Sequence, residues 1–436
     1  MFRIKNISIQ KWLSFSLLAI NWFLMTRTPP FNYISYRWYD QFLISLLAYI
    51  FCGKKFTLKS IGDCKYIYLS YLMGIVLMLI FNSKNTIIWN PDLFQLVPST
   101  FTFQFMWTVK VIIAMITFSF FVTVLSQPMA RKVLFYCIIF TSLMKVSVVN
   151  QYLKSDIDLL VGLASGGQDK NSMSIIFNIS IMMLIPFLMN KKETRFNKIV
   201  CYLLLPIICF GLISSIARSG TMILFFSLVQ VMILYFIYFP LNVNKLKTSI
   251  MISLVAIFSF FYIINFIQKY DFAMQQWVEL FSYLEGNREG AGAARGKIIN
   301  AGLSYIWDNG FIIGHGFMSG PGINDNALGT PYNFHNSFLE YWVTVGILGL
   351  FALIIFSKIL YTEILYQIKK FSSGNGSSID LGYSFMGFTL VPTLLFFDLG
   401  FIWFFVSLIS GIKRERYFSG NDVIEININQ DKLKNV

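Results

Sequence analysis

Three side chains that could take part in chemistry stand beside long apolar runs. Arg218 lies in the turn LISSIARSGTMILFF between two such runs, His335 lies in PYNFHNSFLEYW before a third, and Arg295 lies between them in EGAGAARGKIIN. A guanidinium group can hold phosphate oxygens through two parallel hydrogen bonds. An imidazole, with an ordinary pKa of about 6.5, can accept a proton at neutral pH. Together such groups could bind a phosphate and activate a hydroxyl, if the fold brings them together.

Composition indicates that membrane-spanning helices hold these residues. The 436 residues are 56% hydrophobic and only 13% charged, which is more apolar than a soluble domain. Apolar runs close to the ~20 residues that a helix needs to cross a bilayer recur along almost the whole chain. The sequence therefore predicts an all-α polytopic membrane protein without a separate soluble domain. The twelve predicted spans are 12–27, 37–52, 65–82, 106–126, 132–150, 171–190, 199–217, 219–239, 248–267, 337–360, 381–397 and 399–412.

Lysine and arginine are concentrated in alternate connections between these spans. Short cytoplasmic loops of membrane proteins are enriched in both residues, so the pattern predicts that both termini are cytoplasmic. The formal net charge of +14 is then mostly an insertion signal, because a nucleic-acid-binding protein would gather its cations on one face. The basic N-terminus has no small-residue cleavage site and is interpreted as a retained first span.

One predicted connection is much longer than the others. It covers residues 268–336, about 70 residues between spans nine and ten, on the side opposite the termini. The chain is thus divided into spans one to nine (1–267), this external loop, spans ten to twelve (337–412) and a cytoplasmic tail (413–436). A loop of this length is a candidate for function.

The external loop contains recognisable segments. Apolar side chains at three- and four-residue spacing predict an amphipathic surface helix over residues 271–284. Residues 286–296, GNREGAGAARG, are predicted to form a flexible hinge, and GKIINAGLSYIW a second short helix. Four Lys and Arg face six Asp and Glu in the loop, so it is not a polycationic surface. Arg288 and Arg295 are therefore interpreted as individually placed guanidinium groups.

Cations close to the bilayer have two interpretations. Arg218 has almost no aqueous loop around it, and an ionisable residue in such a place is a functional candidate by default. Its alternative is a side chain that extends to the lipid headgroups. Lys110 and Lys145 lie about one helical turn inside the outer ends of their spans. Both are interpreted as lysines that extend to the headgroups, with lining of the same cavity as Arg218 as the alternative.

The sequence contains no pattern of metal ligands. The histidines, His315 and His335, are twenty residues apart, the external loop has no Asp-x-Asp pair, and the five cysteines lack zinc-site spacing. By the predicted topology the cysteines lie in spans or on the cytoplasmic side, so no external disulfide is expected. We therefore predict a protein that needs neither a metal nor another cofactor.

These motifs, in their order along the chain, also carry a resemblance. SSIARSG between two spans, AARGKIINAGLSYIWDNGFIIGHGF in a large outer loop and FHNSFLEYWVTVGILGL entering the next span are similar to the O-antigen ligase and polymerase superfamily, over about residues 210–350. The family's arginine at the tip of a span pair matches Arg218, its loop arginine matches Arg295, and its histidine before a span matches His335. Arg288 has no equally clear counterpart, and His315 falls on a position that the family does not fix as histidine.

The resemblance implies a GT-C-like glycosyltransferase of the bacterial cytoplasmic membrane. Its donor and acceptor would be undecaprenyl-diphosphate-linked oligosaccharides at the outer face. Arg218 and Arg295, with Arg288 as a weaker candidate, would bind the diphosphate, whose charge grows as the glycosidic bond breaks. His335 would be a base or hydrogen-bond a substrate, or else would only satisfy the first turn of a span. Glu340 would orient the imidazole or cap the helix.

Several activities fit this layout. Polymerisation of repeat units into O-antigen or capsule, with a chain-length regulator as a candidate partner, is the preferred interpretation. A ligase that transfers glycan to lipid A-core and an oligosaccharyltransferase acting on protein are alternatives. A transporter of lipid-linked sugars is the alternative from another class, and such a transporter often consists of two matching halves. The chain shows no such symmetry, and its large loop is not at the midpoint, which favours the enzyme.

Overall fold

A computed structural model shows how these segments fold. It describes residues 8–28, 38–53, 64–81, 87–90, 95–154, 170–215, 217–239, 261, 265, 291–329, 331, 334 and 336–396. Arg288 and His335 lie outside the described residues. Arg218 and Arg295 lie in helices whose backbone is described there, but their side chains are outside the description.

Helices dominate the described part of the chain. The one sheet found there is an antiparallel hairpin of β1 (Ile87–Asn90) and β2 (Gln95–Pro98), with Ile87 opposite Pro98. The helices are α1 (Ile9–Met25), α2 (Trp38–Cys52), α3 (Cys64–Phe81), α4 (Phe101–Leu125), α5 (Pro128–Lys154), α6 (Lys170–Met189), α7 (Arg195–Ser214), α8 (Arg218–Tyr238), α9 (Ala291–Asn309), α10 (Ser319–Leu328), α11 (Ser337–Val345), α12 (Ile347–Ser372) and α13 (Ser378–Phe396).

Many of these helices have the length and apolar character of membrane spans. Within the described ranges, α4, α5, α7, α8 and α12 each contain a stretch long and apolar enough to cross a membrane, and α2, α3 and α6 contain shorter apolar stretches. This confirms the predicted all-α polytopic membrane architecture. The predicted spans 248–267 and 399–412 lie outside the described residues apart from positions 261 and 265, so the total of twelve spans stays a prediction.

Helix α6 lies at the centre of the bundle. It packs against α5, α7, α8 and α13, and every residue from 173 to 186 is buried. A helix that is apolar on all sides is expected to be covered on all sides. Its few polar side chains must therefore find partners inside the protein. Ser180 does so on α5, where its Oγ lies 2.6 Å from Ser142 Oγ.

One end of the bundle is joined by a buried ion pair. Arg131, at the start of α5, is only 1% exposed, and its Nε donates to Asp380 Oδ1 at 2.9 Å. The Arg131 Nη1 atom donates to Leu125 O at 2.9 Å, and Tyr383 OH donates to Arg131 O at 2.6 Å. The starts of α5 and α13 are thereby fastened to the end of α4. Lys192, which donates to Gly374 O at 2.8 Å, lies at this same end.

The opposite end of the bundle carries a small lobe, formed by α9, α10, α11 and the β1–β2 hairpin. Helix α10 packs against β1 and α9, and α11 packs against both α9 and α10. Helix α4, of 25 residues, begins at this lobe and ends beside Arg131, so the two ends are separated by about 37 Å of helix. The apolar core of the lobe consists of Ile298, Ile306, Ile323, Phe334, Leu339 and Val343.

The lobe contains two helices that the sequence did not predict correctly. Helix α9 begins at Ala291, so the prediction of a flexible hinge is wrong for residues 291–296. Helix α10 forms from SGPGINDNAL, although glycine and proline weaken helices. Burial outweighs that preference, because a Cβ on Gly322 would lie 2.2 Å from Ile87 O. The predicted surface helix 271–284 and residues 286–290 lie outside the described residues.

The predicted span 337–360 is two helices rather than one. It is broken at Gly346, whose φ of 86° lies in the left-handed region, and the second helix continues to Ser372. Glycine adopts this conformation without the steric cost that a side chain would bring. The break lets the short helix α11 belong to the lobe while α12 runs into the bundle.

Candidate active site

The segment Ile312–Phe317, which we name the strap, holds the lobe at the break in the helix. His315 N–H donates to Val343 O at 2.7 Å and Gly316 N–H donates to Thr344 O at 3.1 Å. The last carbonyls of a helix lack hydrogen-bond donors within that helix. The strap supplies such donors to the last turn of α11. A Cβ on Gly314 would lie 2.3 Å from Thr344 O, so this approach requires a glycine.

A glutamine in the first turn of α4 ties the strap to the bundle. Gln104 is fully buried, and its Oε1 accepts from Phe317 N–H at 2.7 Å. Its Nε2 donates to Phe317 O at 3.2 Å and to Ser99 Oγ at 3.0 Å. The Trp107 ring also stacks on Phe317, with ring centroids 6.3 Å apart. The sequence analysis missed Gln104, although a glutamine within the apolar run FTFQFMW was a signal for it.

Replacing Gln104 by leucine is expected to loosen the lobe from the bundle. The change keeps an apolar side chain of similar size but leaves the buried N–H and C=O of Phe317 without their partners, at a cost of about 1–3 kcal/mol per group. Thermal unfolding in detergent should begin at a lower temperature, with faster proteolysis in the lobe than in the bundle. Gln151 is exposed in α5, so Gln151→Leu is the control. Equal behaviour of the two variants would contradict this anchoring role.

Both neighbours of His335 are held firmly at the start of α11. Phe334 is fully buried, and its ring fills the space beside Gly302 and Gly320, where added Cβ atoms would approach within 2.5 and 3.1 Å. Asn336 caps α11, since its Oδ1 accepts from Leu339 N–H at 3.0 Å. Phe334 is therefore fixed by packing and Asn336 by a hydrogen bond. His335 lies between them in the chain.

Helix α9 carries Arg295 on the side that faces this segment. Arg295 is seven residues before Gly302, and residues at this spacing lie on the same face of an α-helix. Gly302 is the contact point, because a Cβ there would lie 2.5 Å from Phe334 Cε1 and 2.9 Å from Leu339 Cδ2. The backbone thus places position 295 on the α9 face that is turned toward the residues flanking His335.

Arg218, predicted to lie in a tight turn between two spans, is the first residue of α8. Helix α7 ends at Ser214, and Ala217, which is 1% exposed, precedes α8 as its cap residue. Asn178 Nδ2 donates to Gly220 O at 2.8 Å. Ser174 lies so close that a Cβ on Gly220 would be 2.4 Å from it. Central helix α6 therefore fixes the first turn of α8, and the sequence analysis had not singled out Asn178.

The first turn of α8 and the lobe lie at the same end of the bundle. Ser174 and Asn178 belong to the first half of α6, whereas Asn190, just after α6, donates to Ser378 Oγ at the ion-pair end. The beginning of α6 is therefore at the end remote from that ion pair, which is where α4 meets the lobe. Helix α13 packs against both α8 and α11. The first turn of α8, the start of α9 and the start of α11 therefore share one end of the described part of the molecule.

A family comparison adds to this geometry. Residues 199–354 match the family model described as O-antigen ligase. The chain carries an O-antigen ligase domain. No curated protein matches the chain at a significant level.

The O-antigen ligase domain begins within α7 and ends within α12, so it covers about a third of the chain. It includes Arg218, Arg295, His335 and the whole of the lobe except the β1–β2 hairpin. This agrees with the resemblance seen in the sequence motifs. The protein is thus a multi-pass helical membrane protein that carries this domain.

Lys145, which lies outside the O-antigen ligase domain, was interpreted as a lysine that extends to the lipid headgroups, and this interpretation is wrong. Lys145 is only 2% exposed, so it does not extend to the lipid headgroups. Helix α1 covers this part of α5, where the Trp22 indole N–H donates to Thr141 Oγ1 at 3.0 Å, one turn before Lys145. Lys110 is partly exposed, and its Nζ lies 4.5 Å from the centre of the Trp107 ring.

His315, interpreted as a loop residue, is a buried part of the lobe. It is 5% exposed, and its ring meets the Tyr305 ring edge-on with centroids 4.8 Å apart. Burial lowers the pKa of His315, although a backbone hydrogen bond at Gly310 acts in the opposite direction. Burial also raises the pKa of Tyr305. His315 is therefore neutral at pH 7 and contributes packing and backbone hydrogen bonds rather than positive charge.

A polar cleft of about 510 Å³ runs along the O-antigen ligase domain between α9 and α10. Helix α9 contributes Lys297, Asn300, Ser304 and Tyr305, and α10 contributes Asn326. The sequence analysis did not identify it. The sequence did contain a signal for the cleft, a four-residue spacing that places side chains on one face of a helix. This face carries Lys297, Ala301, Tyr305 and Asn309, beside Asn300 and Ser304.

Acidic and sulfur-containing side chains form no metal-binding cluster in the part of the chain that the structure describes. Cys52, Cys137, Cys201 and Cys209 are buried free thiols there. Glu340 lies within the first turn of α11, and its Oε2 would be 3.1 Å from a Cβ on Gly320. This carboxylate therefore points into the lobe beside Phe334, which also lies against Gly320.

Proposed function

We propose that the protein polymerises undecaprenyl-diphosphate-linked oligosaccharide repeat units on the outer face of the bacterial cytoplasmic membrane. The observation that carries this proposal is the convergence at Gly302. There the α9 face that bears Arg295 meets the residues on either side of His335. The match of residues 199–354 to the O-antigen ligase family supports the reaction type.

The proposed reaction transfers a glycan between two lipid carriers. A hydroxyl on the acceptor glycan attacks the anomeric carbon of the donor, the bond from that carbon to the diphosphate oxygen breaks, and undecaprenyl diphosphate leaves. The acceptor proton passes to His335 or directly to a phosphate oxygen. Negative charge on the diphosphate increases during this step, and fixed cations lower the energy of that charge more strongly in a partly dry site.

In this proposal Arg218 and Arg295 bind the diphosphate, with Arg288 as an additional candidate. Arg218 begins a helix, where the backbone amides also favour an anion. Its position is supported by the Asn178 to Gly220 hydrogen bond of 2.8 Å. His335 takes the proton or orients the acceptor. Since arginine supplies the positive charge, the step is written without a metal.

Complementation tests this function. Wild type, Arg218→Ala, Arg295→Ala and His335→Ala are expressed in a host that makes the cognate lipid-linked repeat unit but lacks its polymerase. Wild type should produce a ladder of glycan lengths, and each variant should leave single repeat units at equal membrane abundance. In isolated membranes, extension should persist in excess chelator. A wild type that extends nothing, with the repeat unit confirmed as cognate, contradicts the proposal.

Ligation is the second candidate, because the matching family is described as O-antigen ligase. A ligase would transfer a preformed glycan to lipid A-core in a ligase-deficient host and would not lengthen it. Appearance of long glycan on lipid A-core only when this chain is present would favour ligation. Export of repeat units without any new glycosidic bond would instead favour a transporter.

A further inference from the structure

The cleft between α9 and α10 is long and open, and both polar and apolar side chains line it. Lys297 and Asp308 both line it, and eleven residues of α-helix separate them by about 16 Å. Seven of its eleven lining residues are polar or charged. The other four, Ala301, Ile323, Ala327 and Leu328, are apolar, so the cleft suits an elongated ligand that offers both hydrogen-bonding groups and apolar faces.

The polar side chains of the cleft are available for a ligand. Lys297, Asn300, Ser304, Asp308 and Asn326 make no side-chain hydrogen bond or ion pair within the described part of the chain. Asparagine amides and serine hydroxyls each both donate and accept hydrogen bonds. A sugar hydroxyl does the same, so it can pair with such a surface in several orientations. The Tyr305 ring adds a flat apolar patch for the C–H face of a sugar ring.

Charge and unpaired polar groups argue against other ligands. A diphosphate would need clustered cations, but Lys297 is the one cation among the lining residues and Asp308 offsets it. A lipid chain would cover Lys297, Asn300 and Asp308 without offering them hydrogen bonds, and polar groups that are covered without a partner cost free energy. A neutral, hydroxyl-rich chain fits both observations.

We infer that this cleft is the glycan-binding subsite of the enzyme, taking several sugars of a lipid-linked oligosaccharide. The inference rests on the proposed function and adds the place where the glycan lies. Lys297 is two residues after Arg295 on α9, so the cleft starts about 3 Å farther along the helix axis than the proposed diphosphate-binding residue and on another side of the helix. One helix thus holds the diphosphate at its start and the sugars along its length.

Direct binding provides the first test. The full-length protein in nanodiscs is titrated with the repeat-unit oligosaccharide released from its lipid diphosphate by mild acid, and binding is followed by saturation-transfer NMR. Asn300→Ala/Asn326→Ala should weaken binding at least about tenfold, the effect of losing two hydrogen bonds. Both positions are exposed and alanine favours helix, so the fold is retained.

Another exposed face of α9 supplies the matched control. Leu303 is 44% exposed and Trp307 is 84% exposed, and neither lines the cleft. Leu303→Ala/Trp307→Ala should leave oligosaccharide binding unchanged. Equal binding by wild type and the Asn300→Ala/Asn326→Ala variant would overturn the inference, as would a wild type that does not bind the oligosaccharide at millimolar concentration.

Kinetics identify which glycan the cleft holds. Extension is measured for wild type and for Asn300→Ala/Asn326→Ala, with the lipid-linked unit as donor and the released oligosaccharide as acceptor. A higher KM of the variant for the acceptor assigns the cleft to acceptor sugars, and a higher KM for the donor assigns it to donor sugars. Normal extension with both KM values unchanged overturns the inference but keeps the polymerase. Oligosaccharide binding that depends on Asn300 and Asn326, without any extension, keeps the cleft but overturns the polymerase.

Discussion

Gly220→Ala is expected to abolish glycan extension, and Ser174→Gly in the same chain is expected to restore most of it. A Cβ on Gly220 would lie 2.4 Å from both Cβ and Oγ of Ser174, far inside contact distance. Ser174 belongs to the fully buried stretch of central helix α6, so the start of α8 must move instead. Arg218 is the first residue of α8. A displacement of about 1 Å at a catalytic group can cost 100-fold in rate.

The second substitution removes the obstacle rather than adding a new contact. Without the Ser174 side chain, the nearest remaining atom to the new Cβ is Leu212 Cδ1 at 3.4 Å, an ordinary contact. Glycan ladders and membrane abundance are measured together in the complementation host. Thr221→Ala, in the same helical turn, and Ser174→Gly alone are the controls and should extend glycan. Full activity of Gly220→Ala at normal membrane abundance would show that the first turn of α8 does not position a group needed for glycan extension.

Gly302→Ala is expected to lower glycan extension at least tenfold by displacing Phe334. The new Cβ would lie 2.5 Å from Phe334 Cε1 and 2.9 Å from Leu339 Cδ2, and overpacking of this kind costs about 1–3 kcal/mol. Alanine is also a better helix former than glycine by about 1 kcal/mol, so α9 itself should remain intact. The loss would therefore report the position of the segment next to His335 rather than unfolding of the helix.

A shorter side chain at position 334 should relieve this strain. Phe334→Leu removes the ring edge that meets the new Cβ, so Gly302→Ala/Phe334→Leu should extend glycan better than Gly302→Ala alone. Leu303→Ala, at the next and exposed position of α9, is the control for substitution in this helix. Activity and thermal unfolding are recorded for each variant. Identical loss in the single and double variants, with equal stability, would argue against Phe334 as the element that is displaced.

Local sequence patterns were sufficient for the features that depend on neighbouring residues. Apolar runs of near-membrane length predicted most of the described bundle helices. The polar interruption SSIARSG predicted a turn between two such runs, and a new helix begins there at Arg218. The tenth span was predicted to begin at residue 337, and α11 begins there at Ser337, with Asn336 as its cap. Each of these follows from hydrophobicity or capping within a few residues.

Long-range contacts decided the features that the sequence analysis missed. Residues 286–296 are rich in glycine, which predicted a hinge, yet the segment from Ala291 belongs to a helix whose later turns pack on Phe334. Gln104 is 213 residues from Phe317, and no local pattern relates the two. Lys145 is buried because other helices cover it, which the position of a lysine near the end of an apolar run does not reveal.

The sequence by itself determined that this chain is a multi-pass helical membrane protein with an O-antigen ligase-type set of motifs, since hydrophobicity and short motifs are properties of adjacent residues. Only the tertiary structure decided that the α9 face bearing Arg295 meets the residues around His335, that α6 fixes the helix start at Arg218, and that a polar cleft runs along α9. The first two arrangements depend on the side chains of Phe334 and Ser174, which fill the space that a Cβ would take at Gly302 and Gly220. Such contacts join residues far apart in the chain, so they become visible only once the helices are packed.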